Sequence, residues 1–332
     1  METTKRVWSY VLLFMMTVCS LSLVSCSSDD DDDDDGGDVA PAAFEAYAAK
    51  YQIADAGAAF SSVEFTESGN YIMVLNDLPA TGAKSLSSLA AKKSPAHMMF
   101  GNLLRKAATR SESVYSPILY GKYTVDADGT YVLAGYGKVK VVEDGAGNAY
   151  SLEFMPSSSS SFTYTASKQN RDLDSENTNR LCRTWNTASF QIVAKINGKV
   201  LLDVTASTMG ELIKKLQKWA ESNDEEFDPS DWEYLDIANP EQVVFTKTGT
   251  YMVKYSNSEL AVSTWRWVND SETMLQYSWE NDFEDSYLNG FASVSYKGSQ
   301  LVITETDKEE EDGESYEMSM VYYFNEVKYI NR

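Results

Sequence analysis

The sequence predicts a mainly β protein built from tandem antiparallel β-barrel or sandwich domains, each preceded by or containing a short helix. Aromatic and β-branched residues alternate with polar ones in short runs, the period of a half-buried strand. Gly, Asn, Asp and Ser turns break these runs about every ten residues. A third observation makes the architecture a tandem one. "VEFTESGNYIMVL" from Val63 returns as "VVFTKTGTYMVKY" from Val243, 180 residues later, with Val, Phe, Thr, Gly and Tyr in register.

Residues 1–25 read as an export signal. Lys5 and Arg6 form a positive start, and Val11–Val18 a short apolar core that ends in small residues. A membrane helix needs about twenty apolar residues, and Cys19, Ser20 and Ser22 interrupt the run before that length is reached. Leu23-Val24-Ser25-Cys26 resembles the lipobox of bacterial lipoproteins. That resemblance implies cleavage before Cys26 and a diacylglyceryl group on its thiol, and two or more chains on one residue make a lasting anchor. The alternative is an ordinary secretory signal with an incidental cysteine.

Residues 26–38 join this anchor to an acidic tether. The seven consecutive aspartates Asp29–Asp35 repel one another and cannot be buried together, so Ser27 to Asp38 is expected to be extended and disordered. Stretched, those residues reach roughly 40 Å, enough to lift a folded domain off the headgroups. The run resembles the acidic signals of surface-exposed lipoproteins of the Bacteroidota type, which implies a position on the outer face of the outer membrane. A calcium loop is a weaker reading, because the run lacks spaced ligands and a turn glycine.

The chain has 332 residues and a formal charge of −22, and loss of residues 1–25 leaves it one unit more negative. Such a balance argues against nucleic acid as a partner, since phosphate binding needs a basic face. With Cys19 in the signal and Cys26 acylated, Cys182 is the one thiol left, so no intramolecular disulfide can form.

The first β domain is placed at residues 39–168. Pro41–Lys50 is alanine-rich with Phe44 and Tyr47 at helical spacing, and strands follow through to "FTYTA" at 162. A basic helical insertion occupies residues 80–110. Lys84, Lys92, Lys93, Arg105, Lys106 and Arg110 occur there without an acidic residue, beside Met98, Met99, Phe100, Leu103 and Leu104. It reads as a lid, a partner-docking arm through Lys92, Lys93, Arg105 and Lys106, or a contact to anionic lipid. The bland alternative is a loop helix pinned by its apolar face. Residues 169–179 are polar and aperiodic, and are read as the linker.

The second domain covers residues 180–332. "LCRTWNTASFQIVA" opens a long strand, and an Asn-Gly turn leads into "INGKVLLDV". Ser207–Glu221 follows as an amphipathic helix with a serine cap and Leu212, Leu216 and Trp219 on one face. Some seven antiparallel strands complete the unit. This order resembles the lipocalin-like domains of Bacteroidota surface lipoproteins, over roughly residues 181 to 330. The resemblance implies a barrel whose floor is plugged by Trp185. Two features depart from the lipocalin pattern. Cys182-Arg183-Thr184 stands where a glycine is expected, and the last strand holds no arginine to cover the indole, offering Lys328 or Arg332 instead. An eight-stranded barrel of this kind is either a ligand calyx or filled by its own side chains.

Catalytic chemistry has little to stand on. His97 is the one histidine, which excludes multi-histidine metal sites, and no histidine lies near Cys182 in sequence to act as its base. Phosphate loops, zinc spacing and nucleophile elbows are missing, so no cofactor or metal is implied. The acidic runs at 221–236 and 305–317 read as solvated loops, with a carboxylate-dependent glycan hydrolase as a minor reading. Aromatics are more suggestive. Trp265 and Trp267 share one strand face, as do Tyr277 and Trp279 on the next, and they form a sugar-stacking platform if outward or core if inward. The expectation is a non-catalytic binding module for a small apolar or glycan ligand, held in a barrel mouth lined by Trp185, Trp265, Trp267 and Trp279. The alternative is a structural or protein-partner component of an outer-membrane complex.

Overall fold

The computed structural model describes residues 47–76, 118–145, 149–169, 173–223, 239–258, 260–278, 283, 289–311 and 313–327. The signal segment, Cys26, the acidic tether, the 80–110 insertion, His97 and Trp279 lie outside the described residues. What is described is two closed eight-stranded antiparallel barrels in tandem, as the alternation and the repeat predict.

The first barrel is an up-and-down meander of β1 (Ala49–Ile53), β2 (Phe60–Phe65), β3 (Asn70–Leu75), β4 (Ile118–Val125), β5 (Tyr131–Leu133), β6 (Gly137–Glu143), β7 (Ala149–Pro156) and β8 (Phe162–Lys168), closed by β1 pairing with β8. Ala49 and Lys50 therefore begin a strand rather than end a helix. Ala49, Tyr51 and Ile53 alternate into the core, and a two-residue period overrides the helical propensity of the alanines. Residues 41–46 lie outside the described residues.

The stretch read as linker also holds structure. Helix α1 (Glu176–Leu181) starts at Ser175, whose side chain accepts from Thr178 N, and buries Thr178 and Leu181 in the second barrel. It leads into β9 (Thr184–Ile196) and β10 (Lys199–Ala206), joined by Asn197 at φ 49° and Gly198 at φ 76°. Both turn residues are left-handed, the requirement of the tight hairpin turn that Asn-Gly predicts.

Helix α2 (Met209–Ser222) appears where its periodicity places it. Its cap is Thr208 rather than Ser207, and Glu211 reaches back to Ser207 N. Together they satisfy donors left open at the helix start, worth about 1 kcal/mol. Leu212, Ile213 and Leu216 carry α2 into the barrel core cluster. Strands β11 (Pro240–Phe245), β12 (Thr250–Tyr255), β13 (Leu260–Trp267), β14 (Met274–Ser278), β15 (Asn289–Lys297), β16 (Gln300–Glu311) and β17 (Glu314–Glu326) complete the second barrel. It closes because β9 pairs with β11 at one edge and β17 at the other, leaving β10 as an added strand.

The repeat holds at the level of register. Tyr71 pairs with Gly121 and Tyr251 with Ser263. Tyr123 N donates to Gly69 O at 3.0 Å, and Trp265 N to Gly249 O at 2.8 Å. The barrels pack through outer faces of equivalent strands, where Ile72, Ile118, Val244 and Met252 form a buried cluster.

Candidate functional site

Side chains fill both barrel interiors. In the first, Phe65 stacks on Tyr131 with centroids 3.7 Å apart, and Phe154 lies between Phe60 and Phe162. In the second, Tyr251, Tyr255, Trp265, Leu301, Tyr322 and Phe324 are wholly buried. The parity of β13 decides the direction of its tryptophans, because Ala261 and Trp265 share the inward face.

Of the predicted site residues, Trp265 points into the packed interior rather than into an open mouth. Trp185 and Trp265 are 1% and 0% exposed; Trp265 is packed core, and Trp185 shows only an edge to the outside of the barrel. Trp185 Nε1 donates to Leu181 O at 2.9 Å, and the half-buried Trp267 donates through Nε1 to Thr178 Oγ1 at 2.9 Å. Both indoles hold α1 across one end of the barrel. Arg180 stacks 3.6 Å over Tyr296, whose ring lies 6.4 Å from that of Trp185. Arg180, from the segment before the tryptophan, thus covers Tyr296 and not the indole itself. Arg183 pairs with Glu326 at the end of β17. Trp279 and the docking candidates Lys92, Lys93, Arg105 and Lys106 fall outside the described residues.

One carboxylate lies deep in the second barrel. Glu305 follows Leu301 and Ile303 on the inward parity of β16 and is buried. It accepts from Tyr277 Oη and, at 3.0 Å, from Tyr322 Oη. Burial and the Glu305 charge push both phenols well above their usual pKa. The acidic run at 305–317 is consequently not uniformly solvated. Its hairpin tip lies between Glu311 and Glu314, while Glu305 is core. Cys182 is buried in the same core cluster as Trp185, and desolvation raises its thiol pKa, which disfavours the thiolate. Among the described residues no group of three or more His, Cys, Asp or Glu could hold a metal ion.

Concave and apolar features lie outside the barrels. A surface cleft of about 710 Å3 lies beyond α1, lined by Asp174, Asn179, Arg180, Arg183, Ser299 and Glu326 among others. On the outer face of β13–β15, Phe291 is 54% exposed, Met274 42% and Val268 40%. Arg266 borders them, bonded through Nε to Gln276 Oε1 at 2.9 Å and lying 4.5 Å over the Phe283 ring.

No protein-family model, curated protein or solved structure matches this chain. Function has to be read from the geometry alone. The register of the two barrels makes that reading comparative. Following the pairings outward from Tyr71 and Tyr251, Val268 corresponds to Asp126, Met274 to Thr130 and Phe291 to Lys138. The turn bonds agree, with Asp126 N donating to Thr130 O at 2.8 Å and Val268 N to Met274 O at 3.0 Å. In the first barrel Lys138 and Asp126 form an ion pair of 2.7 Å at this place. The same position of the sheet is charged in one barrel and apolar in the other.

Sequence reasoning passed over both Glu305 and Phe291. The signal for Glu305 was its parity with Leu301 and Ile303. For Phe291 it was the break in parity, since Gly290, Ala292 and Val294 take the inward positions and leave Phe291 outside.

Proposed function

We propose that the chain is a lipid-anchored outer-membrane protein that displays its tandem barrels at the cell exterior as a non-catalytic, protein-binding module. Its contact surface is the apolar strip Val268, Met274 and Phe291 with Arg266 at its border. The observation that carries this reading is the contrast between equivalent positions. The first barrel covers the site with the Lys138–Asp126 pair, and the second leaves three large apolar side chains in water. Exposed apolar groups ringed by polar ones mark interaction surfaces. The filled interiors favour this over a ligand inside either barrel.

The anchor follows from the lipobox resemblance at Cys26, and the tether from the aspartate run. A photo-crosslinking residue placed at 291 in living cells tests the reading, with one at 138 as its control. A discrete crosslinked protein at 291 and none at 138 supports it. Equal labelling at both positions, or none at 291, overturns it.

A small-ligand role has one observation in its favour, the cleft beyond α1. A glycan seated there would meet Arg180, Arg183 and the edge of Trp185, and tryptophan emission would report it. Loss of that response in Arg180→Ala would place the ligand in the cleft, and an unchanged response would remove it.

A further inference from the structure

The contact between the barrels has the form of a two-fold dimer. Lys50 pairs opposite Glu64, and Thr184 opposite Val244, so Lys50 and Thr184 are equivalent positions, as are Asn70 and Thr250. Lys50 Nζ donates to Thr250 Oγ1 at 2.7 Å, and Asn70 Nδ2 to Thr184 Oγ1 at 3.4 Å. Each contact is the other with the barrels exchanged. Ile72 and Met252, also equivalent, meet in the same apolar cluster. In an isologous interface residue i meets j and j meets i, and a residue on the axis meets its own counterpart.

Glu67 and Lys247 are such counterparts. They stand 180 residues apart, and Lys247 N donates to Glu67 Oε1 at 3.4 Å. Two identical copies would set like charges against one another there, a repulsion that partial burial strengthens. The neighbouring groups add to the asymmetry. Glu64 is 2% exposed, accepts from Thr248 Oγ1 and faces Lys50 Nζ at 4.0 Å, whereas its counterpart is Val244. Lys247 Nζ lies 4.0 Å from Asp174, and the Tyr123 and Cys182 side chains lie within electrostatic reach of Glu67.

We infer that the barrels are an isologous pair fused in one chain, and that the axis position, Glu67 in one and Lys247 in the other, specifies pairing of unlike barrels. Like-charge juxtaposition disfavours the wrong pair more than the correct pair is favoured, which is how specificity is commonly set.

Hydrogen exchange of the full chain in mild detergent, read by mass spectrometry, tests this. Glu67→Lys places two lysines at the axis, and peptides spanning 62–75 and 242–255 should exchange about tenfold faster or more. A peptide from the barrel core, 316–324, should stay protected and so separates undocking from unfolding. The exchanged double variant Glu67→Lys/Lys247→Glu should return protection to the wild-type level. Lys247→Glu gathers four carboxylates, Glu64, Glu67, Asp174 and the new one, and should undock at about pH 8 yet redock near pH 5, where crowded carboxyls are protonated in part, after correction for intrinsic rates. Glu67→Lys should stay undocked at both. Wild-type protection in Glu67→Lys, or no rescue in the double variant, overturns the inference.

Discussion

Replacing Glu305 by leucine tests whether the second barrel is a packed interior with its own polar centre. The substitution keeps the volume and removes the acceptor of Tyr277 Oη and Tyr322 Oη. A buried hydroxyl that loses its acceptor costs about 1–3 kcal/mol, so two cost about 2–6 kcal/mol. Relief from burying a carboxylate acts the other way, which puts the net loss near the low end, about 2–3 kcal/mol. The triple variant Glu305→Leu/Tyr277→Phe/Tyr322→Phe removes the stranded hydroxyls and should regain most of that loss, because replacing all partners with apolar groups of one shape is nearly neutral. Guanidinium unfolding followed by tryptophan emission measures it selectively, since every tryptophan after the signal segment lies beyond residue 180. A triple variant no more stable than Glu305→Leu would refute the reasoning.

Six further outcomes are expected. Gly290→Ala sets a Cβ 2.3 Å from Tyr277 Oη, and a buried ring cannot yield, so the second barrel should lose about 1–3 kcal/mol by the same assay. Burial raises the Tyr251, Tyr277 and Tyr322 phenols, so their contribution is intact below the unfolded value of about 10 and is lost as pH rises towards the folded one; tyrosinate absorbance should appear together with unfolding rather than before it. Hydrogen bonds from Lys195 and Lys308 lower Glu317, so its contribution is present above about pH 4.3 and fades as pH falls through the folded value. Glu67, pushed up to about 7 chiefly by desolvation, acts oppositely, so its contribution is present below about 4.3 and is lost as pH rises through about 7; Glu67→Gln should flatten that part of a stability profile. Cys26→Ala should abolish acyl labelling and leave the precursor uncut, whereas Cys182 should resist thiol reagents until the chain unfolds.

The sequence was most legible where a period is long and uninterrupted. Leu212, Leu216 and Trp219 mark α2, and Asn197-Gly198 marks its hairpin, because both signals are local. Helix α1 was illegible because Ser175-Glu176-Asn177-Thr178-Asn179 is polar throughout; besides the Ser175 cap, tertiary contacts such as Trp267 to Thr178 and Trp185 to Leu181 hold it in place. Ala49 and Lys50 went astray for the reverse reason, as helix-forming residues that barrel closure draws into β1. For the site, the residue types of Trp185 and Trp265 were informative and their direction was not, since direction depends on which sheet face the closure turns inward. The outer strip at Phe291 became meaningful only beside Lys138, a comparison that needs the register of both barrels.

Native mass spectrometry on the fragment Gly36–Arg332, followed by titration of its tryptophan emission with lipids and oligosaccharides, tests the central claim that packed side chains fill the barrels. The account predicts the mass of the polypeptide alone and no saturable emission change that Trp265→Phe removes. A retained small molecule, or a saturable quench that disappears in Trp265→Phe, would contradict it.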